Sequence, residues 1–332
     1  VEVGLDVRMF KQRLGVDLAF YNNITRNQIL DVPMDQTTGY TQATMNSGKG
    51  RNRGVELQLD GTPIKTGDFT WNATFTWAKN YNKVLSLASG LKDGQIIAYT
   101  GGTNCALIAK GGGSIGDMYG YKLKRAPDGQ VVWKDGITAC PTEIEYVGNA
   151  YPAWKAGFSN EFAYKNFRVS ILFDGQWGGI VYSQTHHKMT EHGTLKHTLK
   201  YRENPNFEVV GEGVMLNENG QYVPNNVPIS VSKYYGDYWR RANVETNSFD
   251  ASFLKLREAR IEYTIPAKRL NKIGVERLTF ALYGRNLAMW TKNFPVYDPE
   301  VATLNSGTIV PGSEMGQLPS TRTMGFNLTL KF

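Results

Sequence analysis

Residues two apart agree in polarity along much of this chain while adjacent residues disagree, and a period of two fits only β-strands with one apolar and one polar face. Val1, Val3, Leu5, Val7 and Met9 are apolar, and Glu2, Gly4, Asp6 and Arg8 between them are small or charged. The pattern returns in Leu14, Val16, Leu18 and Phe20, and again in Val55, Leu57 and Leu59. Phe69, Trp71, Ala73, Phe75 and Trp77 alternate with polar Thr70, Asn72, Thr74 and Thr76. Trp154, Ala156, Phe158 and Phe162 oppose Val169, Ile171 and Phe173 across a tight hairpin at Lys165-Asn166. Ala259, Ile261, Tyr263 and Ile265, then Leu278, Phe280 and Leu282, and finally Met324, Phe326, Leu328, Leu330 and Phe332 complete nine predicted strands. Leu254 and Leu256 fall on the opposite parity from Ala259, which requires either a bulge or a shift out of the apolar zone.

The connections sort by length. Short ones fall at Lys11–Arg13, Gly61–Asp68, Lys165–Asn166 and Pro266–Gly274, and long ones at about Asp31–Lys49, Leu87–Pro152, Ile180–Ser248 and Thr291–Gln317. Strict alternation puts every tight turn at one end of the sheet and every large loop at the other, as in outer-membrane barrels. Mean hydropathy is −0.38, and no stretch approaches the roughly 18 consecutive apolar residues of a membrane helix, so a helical membrane protein is excluded. Aromatics make up 12% of the chain and gather near strand ends: Phe20 with Tyr21, Trp71, Trp77, Tyr164 with Phe167, Trp177, Tyr182, Tyr283 and Trp290. They predict two interfacial girdles. The expected fold class is therefore all-β, a transmembrane antiparallel β-barrel that crosses the outer membrane many times. Nine strands with ends on opposite sides would leave unpaired edges in lipid, which is forbidden. An N-terminal part upstream of Val1 is accordingly expected, and V-E-V-G-L-D-V shows no targeting peptide.

Asn52 to Val84 (N-R-G-V-E-L-Q-L-D-G-T-P-I-K-T-G-D-F-T-W-N-A-T-F-T-W-A-K-N-Y-N-K-V) resembles a strand-turn-strand unit of the SusC/RagA-like TonB-dependent transporters. Phe253 to Pro266, Leu282 to Thr291 and the ending L-P-S-T-R-T-M-G-F-N-L-T-L-K-F resemble the same family, in its order and spacing. The resemblance implies that residues 1–332 are the C-terminal nine strands of a barrel of about 22, with the plug domain absent from this chain. It further implies active import of oligosaccharides or oligopeptides, a SusD-like surface lipoprotein as lid, and TonB engaged through the missing N-terminal part. The terminal strand, with Phe326, Leu328, Leu330 and Phe332 on one face, resembles the signal read by the barrel assembly machinery. Outer-membrane lipids are the remaining expected partner.

Motifs that imitate chemistry have plainer readings. Gly111 to Gly116 satisfies G-x-G-x-x-G, but the G-D-M-Y-G-Y-K that follows is a poor helix start, so an external loop is expected. All four histidines, His186, His187, His192 and His197, lie in one loop. Their spacing does not line one helical face, and they are read as solvated rather than as a metal site. Cys105 and Cys140 share a long external loop in an oxidising compartment, which predicts a disulfide. Glu56, Asp60, Glu258 and Glu262 are ordinary wet-face carboxylates. No catalytic centre, cofactor or metal is expected.

The net charge of +7 lies outside the two largest loops, which hold six and seven basic residues against equal numbers of acidic ones. Several basic residues mark short turns instead: Lys11, Arg13, Lys65, Lys165, Lys268, Arg269 and Lys272. Without a basic stripe, nucleic acid is not an expected partner. Balanced, aromatic loops suit a neutral oligomer, and Tyr119, Tyr121, Trp133, Tyr234, Tyr235, Tyr238 and Trp239 are the candidate contacts with ligand or lid. The same rings could instead order the loop. A passive porin or structural barrel without a plug, and a secreted β-rich adhesin, are the competing readings.

Overall fold

The computed structural model describes all residues except 34–35, 41, 47, 88–93, 100–103, 267–269, 271–273, 302 and 306–307. Nine strands form one antiparallel sheet in chain order: β1 (Glu2–Met9), β2 (Leu14–Arg26), β3 (Lys49–Lys65), β4 (Phe69–Ser86), β5 (Trp154–Tyr164), β6 (Phe167–Trp177), β7 (Phe253–Ile265), β8 (Arg277–Thr291) and β9 (Thr323–Lys331). The sheet is open, with β1 and β9 at its edges. Among the described residues no helix is long and apolar enough to cross a membrane.

Register places the apolar set on one face. Val7 pairs with Val16, Leu18 with Leu57, Phe75 with Phe158, Phe158 with Phe173, and Leu282 with Phe326. Of these outward side chains Phe158, Leu282 and Phe326 are exposed, Phe326 to 71%, and the others are half-buried against their neighbours. In water so continuous an apolar surface would aggregate, whereas in lipid it is the required exterior. The polar set, including Glu56, Gln58, Asp60, Thr74 and Thr76, lines the opposite, luminal face.

The parity conflict resolves as a bulge. Register shifts between Leu172 and Phe173 against β7, which makes Arg257 an extra residue against β6, and between Leu256 and Glu258 against β8, where Arg257 faces both Asn286 and Leu287. Opposite it Asn286 takes a positive φ of 52°. The bulge flips the alternation: Leu254 and Leu256 face lipid above it, and Ala259 and Ile261 below it. Two luminal glycines are required by close approach. A Cβ on Gly54 would lie 2.4 Å from the Tyr21 hydroxyl, and one on Gly325 would lie 2.7 Å from that of Tyr283. Each tyrosine lies across the strand over its glycine partner, covering bare backbone.

The turn end is compact. Lys165 has φ 52° in a two-residue link, and the Arg13 guanidinium donates to the Thr62 and Pro63 carbonyls, tying two turns together. Lys268, Arg269 and Lys272 lie outside the described residues.

The girdle assignment needs three corrections. Trp177 and Trp290 are exposed on the outer face near the loop end, and Tyr164 and Phe167 near the turn end, as expected. Tyr21 and Tyr283, however, have luminal parity. Tyr182 is fully buried in an external segment. A ring near a strand end has two faces open to it, and only register chooses between them.

Within the apolar band of the lipid face stands polar Asn160, and its side-chain oxygen has a partner there. Its side-chain oxygen accepts from the Trp71 indole N–H at 3.1 Å. Trp71→Phe would keep the ring and leave that oxygen unpaired in lipid. The expected cost is ~1–3 kcal/mol, read as a lower urea midpoint for barrel unfolding in detergent, with Asn160→Ala in the Trp71→Phe background recovering most of it.

Candidate functional site: a luminal cleft under the external cap

The long connections fold together into a cap. Cys105, Leu107, Met118 and Ala150 from the first large loop, Tyr182 and Val244 from the second, and Val310 from the last share one core. Helix α1 (Gln184–Glu191) starts where Ser183 accepts from the His186 N–H at 2.9 Å. The buried Glu314 carboxylate sits at that N-terminus, accepting from Ser183 Oγ and Thr185 Oγ1 at 2.5 Å and from the Tyr297 hydroxyl. An anion at a helix N-terminus is favoured by the dipole, and here it also staples two loops. Burial pushes the Glu314 carboxyl up, but its hydrogen bonds outweigh that and hold it below the usual carboxylate range.

Helix α2 (Val231–Tyr238) is capped by Ser230. It presents Tyr234 and Tyr238 to Trp133, with ring centroids 6.1 and 6.0 Å apart and nearly parallel planes. Asp237 accepts from Thr138 N and Oγ1 at 2.7 and 2.8 Å, joining the first large loop to the second.

This packing decides the fate of the expected contact residues. Trp133 and Tyr235 are 2% and 5% exposed, so they are corrected from ligand contacts to cap core. Tyr234, Tyr238 and Trp239 are half-buried in the same stack. Tyr119 packs edge-on to Tyr146 beneath Lys110, and the Tyr121 carbonyl accepts from Val244 N. The expected disulfide does not form: Cys105 is in the cap core, and Cys140 is an exposed thiol 3.6 Å from Arg240 Nη2.

The histidines are not all solvated either. His186 and His187 are buried on α1, His197 is half-buried, and only His192 of the four is exposed. Asn247 spends its amide N–H groups on carbonyls, including that of Trp239 at 2.9 Å. Its oxygen therefore accepts from His186 Nδ1–H at 2.9 Å, and His187 Nδ1–H donates to the Trp239 carbonyl at 2.7 Å. Burial lowers the His186 pKa to about 4 and lowers those of His187 and His197. The rings act as neutral packing units, His186 stacked on His197 at 5.2 Å. Among the described residues no group of three or more His, Cys, Asp or Glu could hold a metal.

Below the cap the luminal wall carries a charged network. Lys255 Nζ, buried on β7, donates to both Asp298 oxygens at 2.7 and 2.8 Å and to Glu300. Arg257, the bulge residue, pairs with Asp174 on β6 and with Glu300. The last loop is thereby folded inward and tied to the wall. For Asp298, burial opposes ionisation, but the Lys255 and backbone hydrogen bonds win and lower its pKa.

Two contiguous cavities run along the wall from this network to the mouth. The lower, about 420 Å³, is lined by Asp17, Glu56, Gln58, Lys155, Asp174 and Glu300. The upper, about 710 Å³, shares Glu56 and Lys155 and adds Tyr21, Asn80, Asn82 and Tyr151. In the upper cavity Tyr21 donates to Asn80 at 3.1 Å, and Asn80 and Asn82 both donate to Asn52 at 3.3 and 3.0 Å. An array of amides and phenols offers donors and acceptors without net charge, which suits a neutral polar oligomer. These residues escaped the sequence reading, which looked to loops for ligand contacts. The run of asparagines on the wet parity of β4 was the available signal.

Comparison with known proteins accords with this architecture. The family described as TonB dependent receptor-like, beta-barrel, matches residues 1–287. This chain belongs to that family. TonB-dependent receptor P3 of Formosa agariphila is 25% identical across all of this chain, which spans 34% of that relative. TonB-dependent receptor SusC of Bacteroides thetaiotaomicron is 25% identical over 54% of this chain and 19% of its own length. The chain thus covers about a third of the length of the F. agariphila relative. The structure of the RagAB peptide transporter superposes with a TM-score of 0.71 at 20% identity, over 100% of this chain and 35% of that one, which establishes the shared fold. This TonB-dependent receptor barrel is an outer-membrane protein, with its turns periplasmic and its cap external.

Two outcomes follow for the receptor. A histidine whose folded pKa is depressed stabilises the fold above its unfolded value and loses that contribution as pH falls. The cap should therefore be most stable above about pH 6.5 and weaken toward pH 4, by up to ~3 kcal/mol from His186. Amide exchange of α1 measured at pH 7.5 and at pH 5 should show faster opening at the lower pH, and equal protection would refute the assignment. Separately, Lys255→Met strands Asp298 and should cost ~3–5 kcal/mol, seen as early proteolysis of the last loop. In a double-mutant cycle, adding Asp298→Leu should cost far less than the sum of the two single changes.

Proposed function

We propose that this chain forms part of the wall and cap of an outer-membrane active importer of the SusC type, taking up neutral oligosaccharides or oligopeptides with a SusD-like surface lipoprotein as lid. The observation that carries the reading is the continuous luminal cleft, lined at the mouth by an array of amides and phenols beside Glu56 and Lys155 and more heavily charged below, under a cap whose loops share a single core. A large, ordered cap suits a docked lid better than an open pore. The SusC relative and the likeness to a peptide transporter support an oligomeric cargo. Because open sheet edges are excluded from lipid, the nine strands are proposed to belong to a closed barrel of about 22 strands with a plugged lumen. TonB would act through a segment outside residues 1–332, and the barrel assembly machinery would read the strand ending in Phe332. Transport is proposed to involve no covalent chemistry.

The test is uptake of labelled oligosaccharides and oligopeptides by cells carrying the full-length receptor, with and without TonB. Uptake should require TonB, and Asn80→Leu with Asn82→Leu should reduce it about tenfold at unchanged receptor abundance, the factor for roughly one or two lost hydrogen bonds. Uptake indifferent to TonB, with open-pore conductance in planar bilayers, would establish a passive porin instead.

A further inference from the structure

The outer face of the barrel carries a depression whose floor follows from the register. Trp77, Ala156, Gly175, Leu254 and Trp290 are successive neighbours across β4 to β8, all facing lipid. The row nearer the turns holds Phe75, Phe158, Phe173 and Leu256. The row nearer the loops holds Trp154 and Trp177, stacked 6.3 Å apart with their planes 10° from parallel. Ala156 and Gly175 therefore form a floor almost without side chains, surrounded by rings. The resulting trench has a volume of about 490 Å³. It is built into the backbone, since a Cβ on Gly175 would lie 2.6 Å from the Phe253 carbonyl oxygen.

Basic side chains stand at the external end of this apolar wall. Lys79 lies two residues beyond Trp77 on the same face of β4, and Arg53 is paired beside Tyr81 on β3. Lys79 Nζ and Arg53 Cζ lie 4.9 and 5.7 Å from the centre of the Tyr81 ring. Neither is in an ion pair among the described residues. On the other flank Lys292 Nζ lies 5.5 Å from the centre of the Trp177 ring and pairs with Asp250 at 2.7 Å.

An apolar void on a lipid-facing wall is filled by the surrounding solvent, which here is acyl chain. Walls of rings hold one chain in a fixed position, while two unpaired cations at headgroup level select the charge of the lipid to which it belongs. We infer that this trench is a binding site for one acyl chain of an anionic outer-leaflet lipid, whose phosphate is held by Lys79 and Arg53. The site is independent of what the lumen carries.

The test uses the full-length receptor, purified from outer membranes and exchanged through delipidating detergent, with retained lipid identified by native mass spectrometry. One phosphorylated lipid per barrel is expected. Ala156→Phe fills the trench and should abolish retention in a barrel whose heat-modifiable migration shows it to be folded. Lys79→Gln, half-buried and away from the floor, should lower occupancy about fivefold, the factor for one basic group at a membrane surface. Retention unchanged by both substitutions would overturn the site. So would retention of a neutral or zwitterionic lipid irrespective of Lys79, or conversion of a dimer to a monomer by Ala156→Phe, which would assign the trench to a second copy of the chain.

Discussion

Backbone pairing in lipid is the constraint on which the rest of this structure depends. No water is available to an unsatisfied N–H or C=O inside the bilayer, so each strand must find a neighbour on both sides. That requirement selects an extended antiparallel sheet, and the sheet fixes a side-chain period of two. Everything on the outer face must then tolerate hydrocarbon, and everything on the inner face must tolerate water. Inside the apolar band and the wall beneath the cap, polar exceptions are compensated: Asn160 faces lipid with the Trp71 indole as its partner, and Lys255 is buried among carboxylates.

The wall also determines where the loops can be elaborate. Tight links such as Lys165-Asn166 leave no room for structure at one end, so the packing of the long segments is concentrated at the other. There the segments behave as a small globular unit with its own core, its own helices and its own cross-loop ion contacts. Glu314 and Asp237 each hold two loops together through several hydrogen bonds, and the Asp298 contact carries the last loop down to the barrel wall. Such a cap resembles a preorganised docking surface more than a set of independent flexible loops.

Legibility differed sharply between wall and cap. The strands were readable because alternation is a local signal, and even the fault at Leu254 and Leu256 announced the bulge that Arg257 supplies. The cap was not readable, because its burial is made by segments far apart in the chain. Trp133 looks like a ligand platform until α2, about 100 positions on, lays two tyrosines on it. His186 and His187 look like solvated loop histidines until Asn247 and Trp239 close over them. Cys105 and Cys140 share a loop, yet the core takes one and the surface keeps the other. The mouth of the cleft was missed for a related reason: Asn80 and Asn82 are unremarkable wet-face residues until Tyr21 and Tyr151 converge on the same cavity.

By itself, the sequence determined the strand count, the division of each strand into a lipid face and a water face, and the sorting of short turns from long loops. These follow from a period of two and from turn chemistry, both written within a few neighbouring residues. Tertiary structure alone decided which aromatics are girdle, lumen or core, where the cleft runs, and how three loops become one cap. Those outcomes depend on register between strands and on packing between distant segments, and a one-dimensional pattern does not contain either.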